Sequence, residues 1–397
     1  MLRGSGAPGE TRTPDPLVRS QMLYPAELRA LPGIINGWAR FLVWSRENIR
    51  MKALLLSKYR HLEIADLANP IPGPGEILVK VAACGICGSD VHGYDGSSGR
   101  RIPPIVMGHE AAGRVAAVGP QVTGWAEGDR ITFDSTISCG TCRYCARGEI
   151  NLCDHRRVLG VSCSDYSCDG AFAEYVIVPQ RIVYHLPDSL SFSEAAMLEA
   201  VAVAVHAVSL CRISAGDQAL VLGAGMIGLL TLQVLRAAGC SSVYVTDVDA
   251  SRLKLAKELG AAETLHATGD ALVSEILNRT NNNGVDVAIE AVGVDATVRA
   301  AVQSVRKGGT VTLVGNITPE VTLPLQQMVT RQIRLQGSCA SAGEYPQAIE
   351  LLTSGAIKVR PLITAIAPLE AGPQWFERLY SREPNLMKVV LTPGTVS

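Results

Sequence analysis

Four cysteines, Cys139-Gly-Thr-Cys142-Arg-Tyr-Cys145 and then Cys153, stand at a spacing that can close on one tetrahedral zinc ion. Four thiolates leave no open coordination position. Such a site braces a loop and cannot itself activate water or an alcohol. A second run upstream offers more varied chemistry: Cys84-Gly-Ile-Cys87-Gly-Ser89-Asp90-Val-His92, then Gly108-His109-Glu110-Ala-Ala-Gly113. Cys84 and Cys87 alone would suit a thioredoxin-like redox pair, but no strand, helix, strand pattern surrounds them.

A third run points to a nucleotide. Gly223-Ala-Gly225-Met226-Ile227-Gly228 directly follows an apolar strand pattern and opens an apolar helix. In that context the first glycine makes the tight turn, the second lets a pyrophosphate approach the backbone, and the third lets helix and strand pack closely. The helix N-terminus then faces the phosphates. Asp247 ends the next strand, where a carboxylate would accept hydrogen bonds from the adenosine ribose and repel a 2′-phosphate. That favours NAD over NADP. Asp249 reads as the cap of the following helix, and Arg252 within that helix is expected to join the cofactor's surroundings.

These residues need elements to hold them. Lys52 to Leu56, Gly75 to Val81, Ala112 to Val118, Arg130 to Phe133 and Ala171 to Val178 read as short strands split by Gly and Pro, a β-rich lobe. From about residue 203 strand and helix alternate: Gln218 to Leu222, a helix Met226 to Ala238, Ser242 to Thr246, a helix Ala250 to Leu259, Val285 to Ile289 and Thr310 to Val314. That is a parallel βαβ series. A helix Glu344 to Thr353 and a strand Met387 to Leu391 follow. With 397 residues, a net charge of -1 and 47% hydrophobic residues, about two domains with a sizeable core are expected. No basic stripe or polybasic patch favours nucleic acid or a membrane surface. Eleven cysteines, four of them in one array, fit a reducing cytoplasm better than a secreted disulfide scaffold.

Residues 1–50 have another character, rich in Gly, Pro and Arg without sustained period. The apolar stretch Leu31 to Trp44 is interrupted by Arg40, which argues against a membrane span or signal peptide. Gly9-Glu-Thr-Arg-Thr-Pro-Asp-Pro-Leu-Val-Arg-Ser-Gln21 resembles the product of reading the antisense strand of a transfer-RNA gene. Residues 1–50 are therefore expected to be spurious or a disordered extension, with translation beginning at Met51.

Gly108-His109-Glu110-Ala-Ala-Gly113, followed by Val115, Val118 and Gly119, resembles the zinc signature of medium-chain zinc-dependent alcohol dehydrogenases. The four-cysteine lobe sits where that family carries its structural zinc, and the resemblance extends from Met51 nearly to the end. Ala195-Ala-Met-Leu-Glu199-Ala200-Val201 resembles the Glu-Pro-Leu segment of sorbitol and other polyol dehydrogenases, with Ala200 in place of the proline. The resemblance implies an α/β protein: a GroES-like β-rich catalytic domain over 51–202, a Rossmann doubly wound parallel sheet over 203–340, and a return to the catalytic domain over 341–397. It implies two zinc ions per chain and NAD. Cys87, His109 and Glu110 would hold a catalytic zinc, with Glu199 at or just outside the ion, and Asp90 would orient His109. Ser89 would stand beside the substrate oxygen and His92 would be the base near solvent. Cys84 is expected to be a small buried residue; Cys163, Cys168, Cys211, Cys240 and Cys339 suggest no site.

The implied reaction is hydride removal from a secondary alcohol, such as sorbitol, L-iditol or a phosphorylated hexitol. Ser338-Cys339-Ala340-Ser341 departs from the large aromatic and arginine segment of animal polyol enzymes, so a smaller or differently recognised substrate is expected. Threonine 3-dehydrogenase and simple secondary-alcohol dehydrogenases are the alternatives within the chemistry; a nucleotide-binding protein without turnover is the alternative outside it. Thr310 to Gly315 and Val321 to Leu325 are expected to form the edge that pairs in a homodimer or homotetramer.

Overall fold

The computed structural model describes residues 50–394, so the expectations for residues 1–49 lie outside the described residues. The fold is α/β, built on two principal sheets. One is seven-stranded. Its order is Val183–His185, Arg130–Phe133, Glu110–Val118, Glu76–Gly85, Lys388–Thr392 and Ile363–Pro368, with Tyr175–Pro179 also pairing to Glu76–Gly85. The other is six-stranded and parallel, in the order Glu263–Leu265, Ser242–Thr246, Gln218–Leu222, Val285–Glu290, Val305–Leu313 and Arg334–Gly337.

The parallel strands carry near-continuous apolar runs because helices cover both faces. Ala219, Leu220, Val221 and Leu222 are all fully buried. Between this sheet and the first lies the helix Leu198–Ser209, whose Leu198, Val201, Ala204 and Val205 sit in the same core as Leu229 and Leu232 of the helix Met226–Ala237. The window Phe192–Ser209 has the length and hydropathy of a membrane span, yet 67% of it is buried within the fold. An apolar circumference fits a core helix as well as a membrane one, and here protein supplies the apolar surroundings.

After the parallel sheet the chain returns to the first one. Lys388–Thr392 pairs with Glu76–Gly85, setting Val390 opposite Gly85 and Leu391 opposite Cys84. This brings a strand from the end of the chain beside the Cys84 to Cys87 run.

Two expected strands differ in the structure. Of Ala171 to Val178, only Tyr175–Pro179 is regular strand. The N–H groups of Gly170, Ala171 and Phe172 instead donate to the carbonyls of Val106, Gly108 and Met107. Those bonds pin the segment that precedes His109. Val321 to Leu325 forms no strand; Pro324 has no N–H to give a ladder, and the helix Leu325–Thr330 begins there. Thr310 to Gly315 is no edge either, because Val305–Leu313 pairs on both sides. Arg334–Gly337 is the edge strand of that sheet.

Candidate active site

Cys87 caps the seven-residue helix Gly88–Tyr94. Asp90 Oδ2 accepts the Cys87 N–H at 3.2 Å, the usual bond of a helix start. His109 arrives from the other side of the chain after Gly108, whose φ of 96° lies in the left-handed region. A side chain at Gly108 would meet the Phe172 ring at 2.8 Å, so the turn and the packing both require glycine. Glu110 opens the strand Glu110–Val118 opposite Gly85, and a Cβ on Gly85 would lie 2.3 Å from Glu110 Oε2. The result is convergence: donor atoms of Cys87, His109 and Glu110 all lie within 4.8 Å of one another.

Asp90 is fully buried beneath them. Its Oδ1 stands 3.3 Å from His109 Nδ1, at salt-bridge distance but out of hydrogen-bond alignment. The same oxygen accepts from Arg101, at 3.0 Å from Nη2 and 3.3 Å from Nε. Burial disfavours the Asp90 carboxylate, but His109 and Arg101 outweigh it and hold the group well below the usual carboxylate range. Burial likewise disfavours a His109 cation, and the Asp90 carboxylate overcomes it and raises His109 above its ordinary value.

Glu110 has a partner that the sequence did not announce. Lys388, 3% exposed, donates from Nζ to Glu110 Oε1 at 2.8 Å and Oε2 at 2.5 Å, and to the Ile86 carbonyl at 3.1 Å. Removing one member of a buried ion pair costs about 3–5 kcal/mol, because the other is left uncompensated. A lone lysine in the apolar run Met387-Lys388-Val389-Val390 was the available signal. Arg101 had none: it precedes the Pro103-Pro104 segment and matches no motif.

Glu199 is the residue expected at or just outside the ion. It lies in the first turn of the helix Leu198–Ser209, outside the cluster of three that converges. Burial pushes its carboxyl up to about 7, with His109 opposing and Glu110 adding to the rise. It therefore borders the cluster electrostatically while belonging to a different element. Ser89 Oγ receives Arg101 Nη2 at 3.4 Å. His92 is exposed one turn further along the helix. Cys84 is fully buried, as expected.

The second cluster gathers Cys139, Cys142, Cys145 and Cys153 within the same 4.8 Å limit. Short turns Cys145–Arg147 and Ile150–Leu152 fold the loop back, the first closing on Gly148 at φ 78°. N–H groups aim at the sulfurs: Cys139 and His155 donate to Cys153 Sγ at 3.2 and 3.3 Å, and Thr141 donates to Cys139 Sγ at 3.5 Å. The Thr141 bonds bring the Cys139 thiol down to about 5, whereas burial pushes Cys153 up to about 11. Four converging sulfurs with N–H donors behind them suit a closed thiolate site for zinc.

This lobe is tied to the rest of the site. Asn151 Nδ2 donates to the Cys339 carbonyl at 2.7 Å and lies 3.2 Å from His206 Nε2, while His206 Nδ1 lies 2.7 Å from Glu344 Oε1. Asn151 thus joins the four-cysteine lobe to the Glu199 helix and to the segment that leaves the edge strand.

The glycine run lies at the carboxyl end of the parallel strands, where ligands bind in such sheets. Gly223 has φ 98°, and a Cβ on Gly228 would lie 1.8 Å from the Gly223 carbonyl oxygen. Nothing lies within 4 Å of a Cβ on Gly225, which starts the helix that Met226 and Ile227 continue. Asp247 Oδ2 accepts the Ala224 N–H at 2.6 Å and Oδ1 accepts the Asp249 N–H at 2.9 Å, so its carboxylate borders the glycine loop. Asp249 caps its helix through the N–H groups of Ser251 and Arg252. Arg252 Nε lies 3.6 Å from Asp249 Oδ2, with its side chain 42% exposed.

Comparison with known proteins follows the same division. Residues 73–188 match the alcohol dehydrogenase GroES-like domain and residues 227–354 the zinc-binding dehydrogenase domain. Sorbitol dehydrogenase of Bacillus subtilis (strain 168) is 35% identical over 348 residues, covering 87% of this chain and 98% of that protein. L-Idonate 5-dehydrogenase of Vitis vinifera is 35% identical over 321 residues, 79% of this chain and 86% of that one. Among solved structures, galactitol-1-phosphate dehydrogenase from Escherichia coli superposes with a TM-score of 0.79 at 28% identity, over 86% of this chain and all of that one. A Sinorhizobium meliloti 1021 protein described as a zinc-binding dehydrogenase, bound to NADP, gives 0.80 at 35% identity, over 87% and 100%.

Proposed function

The chain belongs to the zinc-binding alcohol dehydrogenase family, and from that premise we propose that it transfers hydride from a secondary alcohol of a polyol or hexitol phosphate to NAD. The observation that carries this is the convergence of Cys87, His109 and Glu110, with Ser89 alongside. In this assignment those three side chains would hold the catalytic zinc, Cys139, Cys142, Cys145 and Cys153 would hold a structural one, and Glu199 would lie at or just outside the catalytic ion. When bound, zinc supplies a Lewis acid to the substrate oxygen and NAD accepts the hydride.

The chain's own residues do the rest. Asp90 accepts the Cys87 N–H through one oxygen and faces the His109 ring at 3.3 Å with the other, so one carboxylate borders two of the donors. Ser89 receives the proton of the substrate hydroxyl, and exposed His92 delivers it to water. Asp247 would accept hydrogen bonds from the ribose, with Gly223, Gly225, Met226, Ile227 and Gly228 lining the pyrophosphate and Arg252 among the cofactor's surroundings.

The domain division at 202/203 and 340/341 belongs to the same proposal, as do a cytoplasmic location and the absence of nucleic-acid and membrane partners. A homo-oligomer would form at the edge strand Arg334–Gly337, near which Ile317, Leu325 and Val329 are 63%, 69% and 70% exposed. A panel of sorbitol, L-iditol, hexitol phosphates, threonine and short diols, each with NAD and NADP, tests the substrate. A polyol or hexitol phosphate with NAD should give the highest kcat/KM. A preference for threonine or a simple secondary alcohol would move the chain to those reactions; no reduction with any of them, at full zinc loading, would leave a nucleotide-binding protein.

A further inference from the structure

Among the described residues Arg101 is the one buried guanidinium, 4% exposed, and no motif explains it. Its stem lies across the helix that carries Ser89 and Asp90: a Cβ on Gly93 would come within 2.1 Å of Arg101 Cγ. Its backbone is held by a parallel bridge to Ser162, whose carbonyl accepts the Ile102 N–H at 3.1 Å. Nη1 donates to the Arg100 carbonyl at 3.0 Å. The remaining donors have two targets, Asp90 Oδ1 and Ser89 Oγ. The planar fork of arginine reaches both; a lysine ammonium could hold the charge but not span the pair as firmly.

We propose that Arg101 is a positioning residue that locks Asp90, and through it the Cys87 and His109 donors, while orienting the Ser89 hydroxyl. Asp90 Oδ2 sets Cys87 and Oδ1 faces His109, so whatever fixes the Asp90 rotamer fixes the spacing of two donors. Arg101 contributes two of the contacts to that carboxylate. Its third contact occupies one lone pair of Ser89 Oγ, leaving the other to accept the substrate proton while the hydroxyl's own proton is free to pass onward. The first half concerns metal binding by the donors alone; the second rests on the proposed alcohol oxidation.

The two halves are separable in one experiment on the full chain. Zinc release to a chromogenic chelator is followed for the wild type, Arg101→Met and Arg101→Lys, alongside thermal melting, kcat and KM. Arg101→Met keeps the stem over Gly93 and removes the fork. One of its two zinc ions should leave about tenfold faster, since partners of metal ligands typically contribute 10- to 100-fold. Its kcat should fall while the KM for NAD stays within about twofold, the pattern of a lost transition-state contact rather than lost binding. Arg101→Lys should recover most of the zinc retention and little of the kcat. Arg101→Met with wild-type melting, zinc release and kcat would overturn the proposal. Should the Met variant not fold, Arg101→Lys with wild-type kcat would overturn the orienting role, and unaltered zinc release with Gly93→Ala, which displaces the stem, would overturn the locking role. Absence of turnover in the zinc-loaded wild type would instead defeat the proposed reaction and leave the zinc-release comparison intact.

Discussion

Ser89 separates chemistry from binding more sharply than any other residue. It touches neither the glycine run nor Asp247, so Ser89→Ala should lower kcat by about a hundredfold, the lower range of general acid–base contributions, with the KM for NAD little changed. Steady-state kinetics check this, and an unaltered kcat would take the hydroxyl out of the proton path. Asp247 makes the complementary case. Asp247→Ser removes the charge that faces a 2′-phosphate, and kcat/KM for NAD should drop about tenfold, equivalent to one charge-assisted hydrogen bond, while NADP becomes usable. Unchanged cofactor preference would place the ribose elsewhere. Residues whose partners are local were legible: the cysteines at 139 to 153, and the Ser89-Asp90 pair beside Cys87. Arg101 and Lys388 were not. Lys388 lies 278 positions from Glu110, and only the return of the last strand to the first sheet brings them together.

At the scale of elements, the four-cysteine loop acts through what it is fastened to. Asn151 reaches His206 on the Glu199 helix and Cys339 on the segment after the edge strand, so ordering the loop holds both of those segments. Cys142→Ser should reduce bound zinc from two ions per chain to one and lower the melting temperature by about 5 °C or more, as a loss of a few kcal/mol would in a chain of this size. Elemental analysis with a melting curve checks it; two ions retained would mean that the loop is not a zinc site. The strands Gln218–Leu222 and Ser242–Thr246 were legible to the residue, because buried parallel strands bounded by glycine and followed by helix leave little choice. The short helix Gly88–Tyr94 was not, since seven residues beginning with glycine carry no period of their own; the Cys87 and Asp90 capping bonds make it. No strand forms over the expected edge Val321 to Leu325, because Pro324 has no N–H to give a ladder and a helix begins after it.

For the whole molecule, pH enters through Asp134. It is 2% exposed, Oδ1 accepts the Thr136 N–H at 2.8 Å, and Oδ2 has no hydrogen-bond partner among the described residues. Burial pushes its carboxyl up to about 6 from 3.8, so below pH 3.8 it is protonated in both folded and unfolded chains. As pH rises to 6 and beyond, the unfolded chain ionises freely while the folded one must ionise a buried group. Stability is lost across that interval, about 3 kcal/mol in all. Asp134→Asn should therefore stabilise the protein at pH 8 and have little effect at pH 4, read by denaturant unfolding at both. Equal effects at the two pH values would contradict the assignment.

Hydride moved from the carbinol carbon of a polyol to NAD carries its isotope into the reduced cofactor. Sorbitol carrying deuterium at that carbon, turned over by the zinc-loaded protein, tests that transfer directly through the mass of the reduced cofactor. The predicted result is one deuterium in each NADH formed, with no formation after Cys87→Ser. NADH without the label, or none with any labelled polyol in the panel, would contradict it.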